Sequence, residues 1–517
     1  MSLLTVTNLS HGFGERALLV NANFRLLKGE HIGLVGANGE GKSTFLNIIT
    51  GTLMPDAGKI EWQKNIKVGY LDQYSTLTKG KTIRDVCREA FDYLFELESK
   101  MYKLYDELAE ALEEKYDEIM EEAGEIGATL ESSGFYDIDV KIDQVASGLG
   151  LVDIGMDKDV SELSGGQRSK VLLTKLLLQN PGILILDEPT NFLDENHINW
   201  LRNFLQNYEN AFILVSHDVE FLNACVNVIY HIEDATLSRY TSDYYKFIEM
   251  IELKKRQQNA AYEKQQKEIA DMEDFIARNK ARVATRNIAS SRQKMLDKME
   301  IVERVQEKPK PTFIFQTART PGRVVFEAKN LVIGYDEALT SPINIALERY
   351  NKVAIKGVNG IGKSTLLKTL TGKIKPFEGE VINDPFLEIG YFEQEEEASN
   401  KTALQEISDL YPGMMNNEVR SALAGCGLTR LHIESKMKVL SGGENAKVRL
   451  CKITLAKTNV LVLDEPTNHL DVDAKEALKK ALQEYKGTVL LVSHDPYFYE
   501  DIVDEIWDAE KWTNKII

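Results

Sequence analysis

Apolar and polar positions in the first part of the chain follow the periods of strands and helices in alternation. Leu4-Thr-Val-Thr and Ile32-Gly-Leu-Val read as strands, and Lys42 to Thr50 reads as the start of a helix. Pro181-Gly-Ile-Leu-Ile-Leu-Asp is a buried strand ending in a carboxylate, and Ala211-Phe-Ile-Leu-Val-Ser-His is another. Strands alternating with helices predict an α/β fold with a largely parallel sheet.

Two stretches have a purely helical period. From Phe91 to Glu122 there is no proline or glycine, and Leu94, Leu97, Met101, Leu104, Leu108 and Leu112 recur every three or four residues. This predicts a helical, acidic insertion near 85–145, with Gly124 and Gly127 breaking its pattern before a second helical piece. The second stretch joins the halves of the chain. Ile251 to Lys280 is strongly helical, Ile269, Met272 and Ile276 form one stripe, and Met295, Met299 and Val302 are expected to face it from a returning helix. A first arm of this length would reach about 45 Å at 1.5 Å per residue. Pro309 and Pro311 end the hairpin. The expected organisation is a first domain over 1–245, a linker over 246–316 and a second domain over 317–517.

Charge changes the picture at the hairpin turn. The chain carries a net charge of −18, which argues against a surface coated uniformly in nucleic acid. Yet Arg278, Lys280, Arg282, Arg286, Arg292, Lys294 and Lys298 crowd the turn, with Asp297 as the one acid among them. A basic tip on a long arm suits contact with a phosphate backbone, so the first six of these are candidate RNA contacts. The four cysteines are scattered without a CxxC pair and read as reduced core residues. No apolar run approaches the roughly 20 residues that span a bilayer, and Met1-Ser-Leu-Leu-Thr-Val lacks a signal-peptide pattern. A cytoplasmic location without a membrane partner is the expectation.

The candidate chemistry is written twice. Gly36-Ala-Asn-Gly-Glu-Gly-Lys42-Ser43 is followed by Gln73, Leu163-Ser-Gly-Gly-Gln, Leu186-Asp-Glu-Pro and His217. Gly357-Val-Asn-Gly-Ile-Gly-Lys363-Ser364 is followed by Gln394, Leu440-Ser-Gly-Gly-Glu, Leu463-Asp-Glu-Pro and His494. Lysine to glutamine is 31 residues in both copies, and signature serine to histidine is 53. The glutamine-to-signature interval is 91 residues in the first copy and 47 in the second, which isolates the insertion. Glycine-rich loops let backbone N–H groups converge on phosphates at the start of a helix. Gly36, Asn38, Gly39, Gly41, Lys42, Ser43 and Thr44 form one such loop; Gly357, Asn359, Gly360, Gly362, Lys363, Ser364 and Thr365 form the other. The lysines are expected on the β- and γ-phosphates of ATP. Mg²⁺ would be held by Ser43, Gln73 and Asp187, and by Ser364, Gln394 and Asp464. Glu188 and Glu465 are placed to orient or deprotonate the attacking water, and His217 and His494 to sense the γ-phosphate. Phe13 and Tyr335 are candidates for stacking on adenine.

A Leu-Ser-Gly-Gly signature between a P-loop and Leu-Asp-Glu-Pro-Thr-Asn resembles that of ATP-binding-cassette ATPases. Two cassettes on one chain with a charged helical linker resemble the ABC-F family, over nearly the whole chain. The resemblance implies ATP hydrolysis and a monomer whose cassettes sandwich two ATP molecules. Ser441, Gly442 and Gly443 would complete the site on Lys42, and Ser164, Gly165 and Gly166 the site on Lys363. It further implies a ribosome-bound factor: the linker near rRNA and peptidyl-tRNA at the exit site, the insertion (the family's arm) against a stalk protein, and release on hydrolysis. An antibiotic-resistance ribosome-protection protein is an alternative. The energising subunit of an exporter is a weaker one, because it explains neither linker nor insertion. A DNA-repair ATPase is disfavoured by the missing cysteine–zinc modules. Two departures bear on site equivalence: Asn191-Phe192-Leu-Asp against Asn468-His-Leu-Asp, and signatures ending in Gln167 and Glu444.

Overall fold

The computed structural model describes residues 2–14, 16–71, 79–110, 113–279, 286–299, 310–335, 337–393 and 399–512. The chain divides into two compact units: residues 1–239 with 310–517, and residues 240–309.

The first unit contains both P-loop domains, each built on a largely parallel sheet. In the first domain the strand order is Val68–Tyr70, Ile183–Asp187, Ala211–Val215, His31–Val35, Val228–Glu233 and Thr236–Tyr240. In the second it is Ile389–Phe392, Val460–Asp464, Thr488–Val492, Lys352–Lys356 and Glu505–Asp508. The central strands are apolar up to their terminal aspartates because both faces are covered; one face packs on the P-loop helix and on a second, antiparallel sheet, as Ile183 and Ile185 do on Phe45 and Phe24. Ile183, Ile185, Ile213 and Phe212 are solvent-free, as are Leu461, Val462, Leu490 and Leu491. Each domain also carries a three-stranded antiparallel sheet that the sequence reading did not foresee. One runs Arg16–Leu27, Ser2–Phe13, Ala57–Trp62 and the other Ile343–Glu348, Val324–Val332, Glu378–Asn383.

The arm is the helical pair Asp92–Glu110 and Glu113–Ser132. Leu94, Met101 and Leu104 are buried against Ala123, Ile126 and Leu130 of the second helix, and Leu97 packs partly against them. Gly124 and Gly127 do not break the pattern: both lie inside Glu113–Ser132. Glycine costs about 1 kcal/mol relative to alanine in a helix interior, and burying the Ala123–Ile126–Leu130 stripe outweighs it. A Cβ at Gly127 would sit 3.8 Å from the Met101 sulfur, so this glycine faces the partner helix.

The second unit is a helical hairpin. Tyr244–Asn279 is one helix of 36 residues, beginning seven residues before the expected start, and Arg286–Leu296 returns beside it. At 1.5 Å per residue the long helix spans about 54 Å. Ile276 is buried, and Met295 lines one open groove with Met272 of the stripe while staying 58% exposed; Met299 lies beyond the returning helix. The register also places the Arg292 guanidinium 3.8 Å from the centre of the Phe275 ring, a cation–π contact. Val302 lies outside the described residues.

Candidate ATP sites at the cassette boundary

Each P-loop ends in a glycine with left-handed backbone, Gly41 (φ 100°) and Gly362 (φ 107°), as N-cap of the helices Lys42–Ile49 and Lys363–Leu370. A side chain at either position would be strained, and the turn it makes aims the loop amides at one point. Lys42 donates to the carbonyls of Gly36 (2.8 Å) and Ala37 (3.2 Å). Lys363 donates to those of Gly357 (2.6 Å) and Val358 (3.0 Å), and its Nζ lies 3.1 Å from His494 Nε2. Burial lowers the pKa of both lysines against the pull of Glu188 and Glu465. Thr44 is half-buried and Thr365 buried behind the loops.

Asp187 and Asp464 end the central strands Ile183–Asp187 and Val460–Asp464. Ser43 Oγ donates to Asp187 Oδ2 at 2.8 Å, and Ser364 lies close enough to Asp464 to favour its ionised form. Burial raises the pKa of both aspartates. Glu188 and Glu465 follow with left-handed backbone, φ 50° and 48°. That conformation is costly for a residue with a Cβ, and it persists in both copies because the neighbouring strand holds each residue. Glu188 N donates to Val215 O (2.9 Å) and Glu465 N to Val492 O (3.0 Å). Burial, with Asp187 beside it, pushes Glu188 up to about 7; burial opposed by Lys363 leaves Glu465 also at about 7. A carboxyl in this range can take a proton near neutral pH. His217 N donates to Glu188 Oε2 at 3.2 Å, and the rings of His217 and His494 lie 3.5 and 3.1 Å from Glu188 and Glu465. Burial, aided by the P-loop lysine, holds His217 well below its usual range and His494 at about 3, which favours the neutral ring at both sites.

Ser164 and Ser441 cap the helices Gly165–Leu178 and Gly442–Leu455. Each hydroxyl accepts from the N–H three residues on, while the side chain there, Gln167 or Glu444, returns a bond to the serine N–H. The differing fifth residues of the signatures therefore do the same capping work. Glu444 differs in also meeting His432 Nε2 at 3.1 Å.

The copies meet head to tail. Asn38 of the first P-loop donates to His469 O at 3.0 Å, and a Cβ at Gly443 would stand 2.3 Å from Asn38 Nδ2. Asn359 of the second P-loop donates to Phe192 O at 3.4 Å. Thus the first P-loop and the second signature come together, as do the second P-loop and the segment beside the first signature. The residues 192 and 469 differ in backbone as well as identity: His469 is left-handed at φ 65°, and a Cβ at Gly442 would meet its ring at 3.1 Å, whereas a Cβ at Gly165, the matching position, would meet nothing within 4 Å.

Phe13 and Tyr335 are 57% and 61% exposed at the ends of early strands, so neither is a core aromatic. Gln73 and Gln394 lie outside the described residues. Of the basic tip, Arg278 pairs with Asp274 (2.7 Å), Arg292 stacks on Phe275 and Lys294 is exposed. Arg286 opens the returning helix, and Lys280 and Arg282 lie outside the described residues. Sequence reasoning missed the roles of the aspartate that closes each Asn-x-Leu-Asp run. In the second copy Asp471 pairs with Lys447 (2.7 Å); in the first, Asp194 meets His197 (2.7 Å), which lies 3.5 Å from the buried Lys170. It also missed Lys475, which reaches the carbonyl of His217 at 3.4 Å. Aligning the two copies position by position would have exposed these differences.

Comparison with known proteins agrees with this geometry. Residues 19–191 and 340–468 match a family model described as ABC transporter, and residues 230–315 match a companion model with the same description. The chain is 58% identical over 518 residues to the uncharacterized ABC transporter ATP-binding protein YfmM of Bacillus subtilis (strain 168), covering 100% of both. It is 36% identical over 518 residues to ABC transporter F family member 2 of Arabidopsis thaliana, covering 96% of this chain and 75% of that one. Two solved structures share the fold at 19% identity, each covering 97% of this chain and 87% of its own. They are RNase-L Inhibitor (TM-score 0.58) and a chain in the crystal structure of the complex of archaeal ribosomal stalk protein aP1 and archaeal ribosome recycling factor aABCE1 (TM-score 0.59). No described helix is long and apolar enough to cross a membrane. With its two matched cassettes, its interposed extension and its full-length relatives, the chain belongs to the ABC-F family and is an ATP-binding ATP hydrolase.

Proposed function

We propose that the protein is a cytoplasmic translation factor that binds the ribosome when ATP draws its cassettes together, and leaves on hydrolysis. The observation that carries this reading is the linker: one 36-residue helix whose far end and return are basic in a chain of net charge −18. An ATP clamp needs no such element, whereas contact with rRNA and peptidyl-tRNA at the exit site does. The acidic arm would meet a basic stalk protein there.

At each site the bound nucleotide would be cradled by the P-loop of one cassette and the capped helix start of the other, Ser441-Gly442-Gly443 for Lys42 and Ser164-Gly165-Gly166 for Lys363. Phe13 and Tyr335 would cover the adenine. The donor set suits Mg²⁺: a hydroxyl and one carboxylate per site, all oxygen, with Asp464 Oδ1 buried and unpartnered among the described residues. Ser43 with Asp187, and Ser364 with Asp464, would hold the ion, joined by Gln73 and Gln394; bound there it would neutralise phosphate charge. Glu188 and Glu465 would hold and orient the attacking water, taking its proton. His217 and His494, neutral, would offer a ring N–H to the γ-phosphate.

The test is ribosome co-sedimentation of the Glu188→Gln/Glu465→Gln chain with ATP and with ADP. Retention with ATP and loss with ADP supports the proposal. Equal recovery with either nucleotide, or none with both, sinks it.

A further inference from the structure

The 277-residue shift that superposes the two signatures also superposes Glu188 on Glu465 and His217 on His494. It carries Lys475 onto Ile198, a side chain with no hydrogen-bonding group. Lys475 lies in the helix Val472–Glu484 of the second cassette, yet its Nζ donates to the backbone carbonyl of His217 in the first, at 3.4 Å. The N–H of that same His217 donates to Glu188 Oε2 at 3.2 Å. Lys475, the His217 peptide groups and Glu188 therefore form a short polar relay across the cassette boundary, in a site where burial makes each interaction stronger than in water. The other site is built differently: Ile198 contributes no donor, and the histidine ring there sits 3.1 Å from its own P-loop lysine, Lys363.

We propose that Lys475 is a positioning residue that acts in trans, holding the His217 segment and through it Glu188 in the working arrangement at the Lys42 site alone. The first ATP site then fires only with the second cassette's helix seated against it, whereas the second site depends on its own lysine. This inference rests on Glu188 being the group that orients water.

The test is first-turnover ATP hydrolysis by rapid quench, in the full chain, with one glutamate replaced at a time. Glu465→Gln leaves the Lys42 site to be read, and Glu188→Gln leaves the Lys363 site. In the Glu465→Gln chain, Lys475→Met should slow the first turnover about tenfold, the scale of one charge-assisted hydrogen bond, with the half-saturating ATP concentration unchanged within about twofold. Lys475→Arg should restore most of the rate. In the Glu188→Gln chain, Lys475→Met should leave the first turnover as it was. Equal slowing in both chains would mark Lys475 as mere interface packing and overturn the inference, as would no slowing in the Glu465→Gln chain or no rescue by arginine. The chain with both glutamates replaced separates the two layers. Hydrolysis persisting there removes Glu188 from its role; hydrolysis abolished there, with Lys475→Met at full rate, removes only Lys475.

Discussion

Gly443→Ala should disrupt the contact between cassettes far more than Gly166→Ala, its counterpart in the other signature. A Cβ at Gly443 would stand 2.3 Å from Asn38 Nδ2 of the opposite P-loop and 2.5 Å from the backbone oxygen of His469. Ordinary contact begins near 3.4 Å, so the Asn38 amide must swing away from across the boundary and give up its bond to His469, while His469 O, backbone of the same cassette as Gly443, must shift within that cassette. Overpacking of this kind costs about 1–3 kcal/mol, and the Asn38–His469 hydrogen bond lost with it about 1 more. Only the lost bond acts across the boundary, and about 1 kcal/mol is a roughly fivefold shift toward separated cassettes, while the overpacking lowers the stability of the second cassette itself. At Gly166 the nearest atom is Phe192 Cβ at 3.8 Å, an ordinary contact, and the cost should stay within about 0.5 kcal/mol. The assay is energy transfer between dyes on cysteines placed at Met54 and Val439, which are 85% and 76% exposed on different cassettes. The four natural cysteines are buried, and burial pushes Cys87 and Cys225 up to about 12, so they will not take the label. Gly443→Ala should lower transfer while Gly166→Ala leaves it within error. Equal transfer in the two variants would refute the packing argument.

Neutralising Arg282, Arg286 and Arg292 should weaken ribosome binding and flatten its log–log salt dependence by about 0.7–0.9 per lost phosphate contact; an unchanged slope would remove the tip from RNA. Leu130→Ala in the arm, at a solvent-free position, should cost about 2–5 kcal/mol of arm stability, read as faster hydrogen exchange across Glu113–Ser132 with exchange in the parallel sheets unchanged. Burial opposes ionisation of Asp194, but the His197 ring overcomes it and holds the carboxyl at about 2. A depressed carboxylate stabilises the fold above its unfolded value near 3.9 and loses that stability as pH falls toward 2. His197→Ala should therefore move acid unfolding to higher pH, measured by tryptophan fluorescence, while leaving stability near pH 5–6 less affected than Asp194→Ala does.

The α/β core was legible because its strands are unbroken apolar runs bounded by turn residues, as in Ile183–Asp187. The two ATP sites were legible because phosphate chemistry demands fixed residue types at fixed spacing, and both copies keep the ruler. What escaped depends on partners distant in sequence. Gly124 and Gly127 obey tertiary burial rather than helix propensity, and the Ala123–Ile126–Leu130 stripe decides the matter. The period of Met295 places it beside Met272, but the contact of Arg292 with Phe275 in the hairpin seam has no signal in the apolar pattern. Lys475 sits outside every motif, and only the approach of His217 from 258 residues away gives it a role.

The central claim is that each ATP site is shared, the first P-loop meeting the second signature inside one chain. Cysteines at Asn38 and His469, bridged by a short bifunctional thiol reagent, test it most directly, because Asn38 and His469 touch at 3.0 Å while 431 residues apart in sequence. With ATP and the Glu188→Gln/Glu465→Gln background, a shared site gives rapid bridging within single chains, independent of protein concentration, and slower bridging with ADP. Bridging only between chains, or at a rate indifferent to nucleotide, would contradict it.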